Sequence, residues 1–82
     1  MKELTEDQKQ DIREILAEQL CTYTDQVRSS SRLVEDLNVD SIDAVEIIMA
    51  LEKFFSIEIK NEDYDKCKTV QDIFDLVAQN LK

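Results

Sequence analysis

Not one glycine or proline occurs in this chain of 82 residues. Without glycine no residue readily supplies the φ > 0 turns of tight hairpins, and without proline turn punctuation is lost as well. An all-β fold needs many such turns, and alternating β-type runs are missing. Helix formers dominate instead. The expected fold class is therefore all-α. A chain of this length makes one small domain, read here as 1–82, and its start and length favour a free-standing chain. The core of such a domain is marginal in size, so it must come from a few well-patterned elements.

Three amphipathic patterns supply them. Thr5 can cap a first helix while Gln8 reaches back, and Ile12, Ile15, Leu16 and Leu20 follow at helical spacing. A long connection from Cys21 to Val39, with Ser29-Ser30-Ser31 at its centre, needs internal anchors. Val27, Leu33, Val34 and Leu37 are the candidates, with a short helical turn among them. The second helix is expected from Ser41 to Phe55 with Asp40 as N-cap, followed by an extended link over Ser56 to Ile59. A third, short helix from Asn61 to about Lys66 would be capped by Asn61. Thr69 opens the last helix, whose apolar face is Val70, Ile73, Phe74, Val77 and Leu81. These elements make a small antiparallel bundle of three main helices plus a short one.

Charge and cysteine usage narrow the function. With 10 basic against 19 acidic residues the net charge is −9, which disfavours nucleic acid and anionic lipid as partners and favours basic protein surfaces. The acidity is clustered: Glu35, Asp36, Asp40, Asp43, Glu46 and Glu52 fall between Leu33 and Glu52, where there is no Lys or Arg. No apolar run is long enough to insert in a membrane. Cys21 and Cys67 without a signal peptide fit a reducing, cytoplasmic setting with free thiols, each read as a buried or half-buried small hydrophobe. Two cysteines and no histidine make no metal site. Asp36-x-Asn38-x-Asp40 matches half of an EF-hand loop, but Ser41 stands at the glycine position and Ile47 at the bidentate glutamate position. That reading fails.

The second helix carries the functional reading. At about 100° per residue, Ala44, Ile47, Ile48, Leu51, Phe54 and Phe55 gather on a core side. Ile42, Val45 and Met49 fall opposite, flanked by Asp43, Glu46 and Glu52, where a purely structural helix would be polar. An apolar stripe with an acidic rim reads as a docking surface, and Met49 suits one that accepts several partners. At its head stands Ser41. With no histidine in the chain, Ser41 has no base to make it a triad nucleophile, and an enzyme is not expected. As the first residue of a helix, on an exposed turn, its hydroxyl is instead an attachment point offered to another enzyme for modification.

The run Asp40-Ser41-Ile42, with Leu37 before it and Val45-Glu46-Ile47-Ile48-Met49-Ala50-Leu51-Glu52 after it, resembles the Asp-Ser-Leu signature region of acyl carrier proteins; Thr69-Val70-Gln71-Asp72 is similar to the family's wording too. The resemblance covers nearly the whole chain. It implies that Ser41 carries covalent 4'-phosphopantetheine, making the chain a phosphoprotein, and that acyl intermediates ride on its thiol as thioesters in fatty acid biosynthesis. It implies a recognition helix of Asp40, Ile42, Asp43, Val45, Glu46, Met49 and Glu52. It implies an acyl pocket flanked by Leu33, Ile47, Leu51, Ile59 and Cys67. The implied partners are a phosphopantetheinyl transferase and fatty acid or polyketide synthesis enzymes with basic docking patches, meeting a monomeric carrier.

The chain departs from the family where Asn38 replaces a usual Gly, Ile42 a usual Leu, and Lys60-Asn61 a common Pro-Asp. Lys53 stands where many fatty-acid carriers are acidic. These differences leave open a specialised carrier of polyketide, D-alanyl or other aminoacyl cargo. An unmodified acidic helical interaction module is the remaining alternative.

Overall fold

The computed structural model describes residues 3–81. The expected domain of 1–82 thus includes Met1, Lys2 and Lys82, which lie outside the described residues. Among the described residues the architecture is all-α: α1 (Glu6–Gln19), a 3-10 turn (Thr24–Gln26), α2 (Ser41–Phe55), α3 (Asn61–Asp65) and α4 (Val70–Asn80). Each long helix begins where a side chain can satisfy its first free N–H groups. Thr5 and Gln8 form a reciprocal capping box at α1, as do Asp40 and Asp43 at α2 and Thr69 and Asp72 at α4.

The core is continuous. Ile12 and Leu16 of α1, Ile47 and Leu51 of α2, and Val70, Ile73, Phe74 and Val77 of α4 are buried together, with Ile15, Leu20 and Leu81 packed at its edge. Leu76 and Ala78 are also buried, so α4 is covered on more of its circumference than its single apolar face suggested.

The long connection is held by backbone pairing as much as by apolar anchors. Leu33 N–H donates to the Lys68 carbonyl (2.9 Å), and Val70 N–H donates to the Ser31 carbonyl (3.0 Å), tying the connection to the start of α4. Ser31 is itself buried: its hydroxyl donates to the Gln26 carbonyl (3.2 Å) and accepts from Arg28 N–H (3.0 Å). Val27 and Leu33 are the buried anchors and Leu37 packs at the core's edge, but Val34 is exposed.

Several expectations are corrected. Phe54 is 56% exposed rather than core, packed edge-to-face on Phe55 with ring centroids 4.9 Å apart. It stands two turns after buried Ile47 on nearly the same face, but there its neighbours on α1 include Glu18 and Gln19, which leave a groove rather than a lid. Cys21 is exposed, because it takes a left-handed backbone (φ 55) where the chain leaves α1. Ser56 is left-handed too (φ 54) and terminates α2, so the link is extended only after it. Asn61 is the first residue of α3, and Lys60 occupies its cap position without a side-chain hydrogen bond.

Candidate functional site

The site is built at the head of α2. Arg32 N–H donates to the Asp36 carboxylate (2.8 Å), and the Arg32 guanidinium lies 3.4 Å from the same group and 3.6 Å from Glu35. The Arg32 N–H and guanidinium hold the Asp36 carboxyl below its usual range. This compact turn ends at Asn38, which adopts φ 56; its short amide side chain tolerates the left-handed geometry that otherwise favours glycine. Asp40 then caps the helix: its Oδ1 accepts from Asp43 N–H (2.8 Å), and Asp43 Oδ2 accepts from Asp40 N–H (3.3 Å).

That capping box decides what is left for an anion. Of the four N–H groups with no partner inside α2, those of Asp40 and Asp43 are taken by the box. Those of Ser41 and Ile42 remain, beside an exposed Ser41 side chain at the positive end of a helix of 15 residues. A phosphodiester on Ser41 Oγ fits this donor set. The other serines do not share the setting. Ser31 is buried, Ser29 and Ser30 lie in an exposed loop, and Ser56 sits at the negative end of α2.

Below Ser41 the predicted apolar stripe is present. Ile42 is 69% exposed, Val45 55% and Met49 62%, with Glu46 exposed beside them and Asp43 half-buried. Glu52 differs: its Oε2 accepts from Ile59 N–H at 2.9 Å, which turns the carboxylate toward the link after α2. Asp40 and Asp43 likewise serve the fold while standing on the acidic rim.

A cleft of about 260 Å³ opens between this helix start and α3, lined by Leu33, Val39, Asp40, Ala44, Tyr64 and Cys67 among others. Of the residues expected around an acyl pocket, Leu33 and Cys67 line it. Ile47, Leu51 and Ile59 are buried in the core and form no part of its wall. Cys67 is half-buried and its thiol donates to the Asp63 carbonyl (3.7 Å). Burial, reinforced by Asp72, Asp75 and Asp63, raises this thiol to about 11. Val39, Ala44 and Tyr64 line the cleft without having been expected there; Tyr64 was missed because five residues of α3 are too few to set a helical phase. A larger hollow of about 580 Å³, walled by Thr22, Gln26, Arg28 and Asn38 among others, does not include Ser41.

Residues 10–77 match the family described as "Phosphopantetheine attachment site". The chain is 45% identical over 69 residues to the acyl carrier protein of Helicobacter hepaticus, covering 84% of this chain and 91% of that one. It is 44% identical over 70 residues to that of Wolinella succinogenes, covering 85% and 92%. Among solved structures, the thermally stable acyl carrier protein of Enterococcus faecalis superimposes with a TM-score of 0.73 at 33% identity, over 88% of this chain and 91% of that one. The mupirocin didomain acyl carrier shares the fold with a TM-score of 0.79 at 24% identity, over 96% of this chain and 43% of that one. A helix start left open for a phosphodiester, an all-α frame and these relatives converge: the chain belongs to the acyl carrier protein family and bears covalent phosphopantetheine rather than a catalytic centre.

Proposed function

We propose that Ser41 Oγ is the attachment point, and that this chain carries acyl intermediates for fatty acid biosynthesis in the cytoplasm as a single monomeric domain. The carrying observation is the accounting at the start of α2: an exposed serine with the Ser41 and Ile42 N–H groups left over beside it. When attached, the arm supplies a thiol on which an acyl group is held as a thioester. The protein's own part is to cap the helix with Asp40, to leave those two N–H groups for the phosphodiester, and to offer a cleft walled by Leu33, Val39, Ala44 and Cys67. The family is modified by a phosphopantetheinyl transferase and works with synthase enzymes. On this chain we assign their contact to Ile42, Val45 and Met49, with Asp40, Asp43 and Glu46 as the acidic rim that steers basic surfaces toward it. None of the described helices is long and apolar enough to cross a membrane.

The test is to locate the arm after reaction with coenzyme A and a transferase. Cleavage after Arg32 and Lys53 releases Leu33–Lys53, in which Ser41 is the sole serine, separate from Ser29-Ser30-Ser31. The added mass is expected on Leu33–Lys53. Its appearance on the Ser29–Arg32 fragment contradicts the assignment.

A further inference from the structure

Two cavities flank the turn that leads into Ser41, and they differ in chemistry. The cleft of about 260 Å³ has an apolar wall in Leu33, Val39 and Ala44, with the Glu35, Asp40 and Asp65 carboxylates also around it. The hollow of about 580 Å³ lies on the Asn38 side, between the turn and the chain leaving α1. Its wall is mostly polar. The side chains of Thr22, Gln26, Ser30 and Asn38 line it and make no hydrogen bond among the described residues, so their donors and acceptors stand uncommitted. Its charged groups are accounted for: the Asp36 carboxylate is held by Arg32, and Arg28 Nε donates to the Asp25 carbonyl at 3.3 Å. Half-buried Leu20 and Leu37 add apolar contact. Each cavity carries one thiol, Cys67 in the cleft and Cys21 in the hollow.

Resting on the assignment of Ser41 as the attachment point, we propose that the hollow walled by Thr22, Gln26, Ser30 and Asn38 seats the phosphopantetheine arm when it carries no acyl group, and that an acyl group draws the arm to the opposite cleft. Beyond its phosphate the arm is an uncharged chain with a hydroxyl, a pair of amides and a geminal dimethyl group, ending in a thiol. Its amides lose water without recompense against an apolar wall, whereas the hollow offers them partners. Reach permits this seat: Asn38 stands at most about 11 Å of extended chain before Ser41, and the arm extends roughly 17 Å from Ser41 Oγ at the same rise per bond. Loading reverses the balance, because each methylene buried against Leu33, Val39 and Ala44 favours the cleft by roughly fourfold. One arm cannot fill both seats, so its load selects the face on which it rests.

The test uses the whole protein with the arm on Ser41, as the free thiol and as an octanoyl amide that cannot hydrolyse. In the free-thiol form, nuclear Overhauser contacts are expected from the arm's geminal methyls to Thr22 and Leu37. In the octanoyl form these should give way to contacts from the acyl chain to Val39 and Ala44. A glutathione buffer supplies an independent reading. The arm thiol and a cysteine thiol together reduce one oxidised glutathione to two reduced molecules and become a protein disulfide, which fragment mass analysis locates. The effective concentration of the arm should be about tenfold higher for Cys21 than for Cys67. In urea the ratio should fall close to unity, since both cysteines lie at similar sequence separations from Ser41. Thr22→Val/Gln26→Leu keeps the wall's shape but removes its partners, and should lower the Cys21 value about threefold with the Cys67 value unchanged. Ser30→Trp, in the exposed loop, should fill the hollow and abolish the contacts with Thr22. Trapping mainly at Cys67 in the free-thiol form, the same arm contacts with and without octanoyl, or a Cys21 preference untouched by both variants overturns the inference. These failures leave the attachment reading standing; failure of Ser41 to accept the arm overturns both.

Discussion

The Glu52 carboxylate accepts a hydrogen bond from the Ile59 backbone N–H at 2.9 Å, joining the last turn of α2 to the link that leads into α3. The bond is partly buried, and Ile59 beside it is 5% exposed. This acidic residue therefore closes a loop as well as lining a face. Glu52→Ala is expected to lower stability by about 1 kcal/mol, the usual net value of a hydrogen bond, while association with a synthase keeps its rate. Denaturant unfolding and stopped-flow binding read the two effects separately. A large loss of association rate with unchanged stability contradicts this division of labour.

Glu46 belongs to the rim without such a duty. Glu46→Lys should slow association with a transferase or synthase at low salt, and the effect should shrink as ionic strength rises. Asp43 is different, because it is half of the capping box; charge reversal there would place a cation against the positive end of α2. Asp43→Asn removes the charge with less injury to the cap. Helical content measured by circular dichroism should stay constant in Glu46→Lys/Asp43→Asn while the association rate falls. Unchanged kinetics at low salt would move the docking surface elsewhere.

The two thiols should react at very different rates. Cys21 is exposed, whereas Cys67 is half-buried with its thiol raised to about 11, so little thiolate exists there at neutral pH. Timed alkylation with fragment mass analysis should modify Cys21 first, and a long acyl chain on Ser41 should slow Cys67 further without affecting Cys21. Equal Cys67 rates in the acylated and holo forms would make it a core residue rather than a wall of the cleft.

Acid should act on the cap of α4. Asp72 accepts from the Lys68 (2.8 Å) and Thr69 (3.1 Å) N–H groups, which together hold its carboxyl below the ordinary 3.8. Its folded value is thus lower than its unfolded one. Its contribution is present above about pH 4 and is lost as the pH falls below that, through the folded value. Asp36, lowered by Arg32, acts with the same sign. The difference in urea midpoint between the parent and Asp72→Asn should therefore be larger at pH 7 than at pH 3. A difference independent of pH contradicts the capping account.

What could be read from the sequence follows from how local its causes are. Thr5 with Gln8, Asp40 before Ser41, and Thr69 with Asp72 announce helix starts because capping needs residue types at fixed short spacings. Asn38 was singled out only through the resemblance, as the residue standing at a usual Gly, and it takes the left-handed backbone. The exposed stripe of Ile42, Val45 and Met49 followed from helical period alone. The misses depended on tertiary neighbours. Phe54 has the phase of a core residue but faces Glu18 and Gln19, and Val34 is apolar yet lies outside the loop's contact with α4. Glu52 looked like its acidic neighbours until the chain folded Ile59 back to it. Tyr64 entered the cleft only once the short α3 was placed beside the start of α2.

The central claim is that one serine, fixed by its helix start, carries the arm. Intact mass after exhaustive reaction with coenzyme A and a phosphopantetheinyl transferase tests it most directly, comparing the parent chain with Ser41→Ala. Asp40 and Asp43 still form their box in that variant, so its circular dichroism should match the parent's. The parent is expected to gain the mass of a single arm and Ser41→Ala to gain none; an arm on the folded variant would contradict the account.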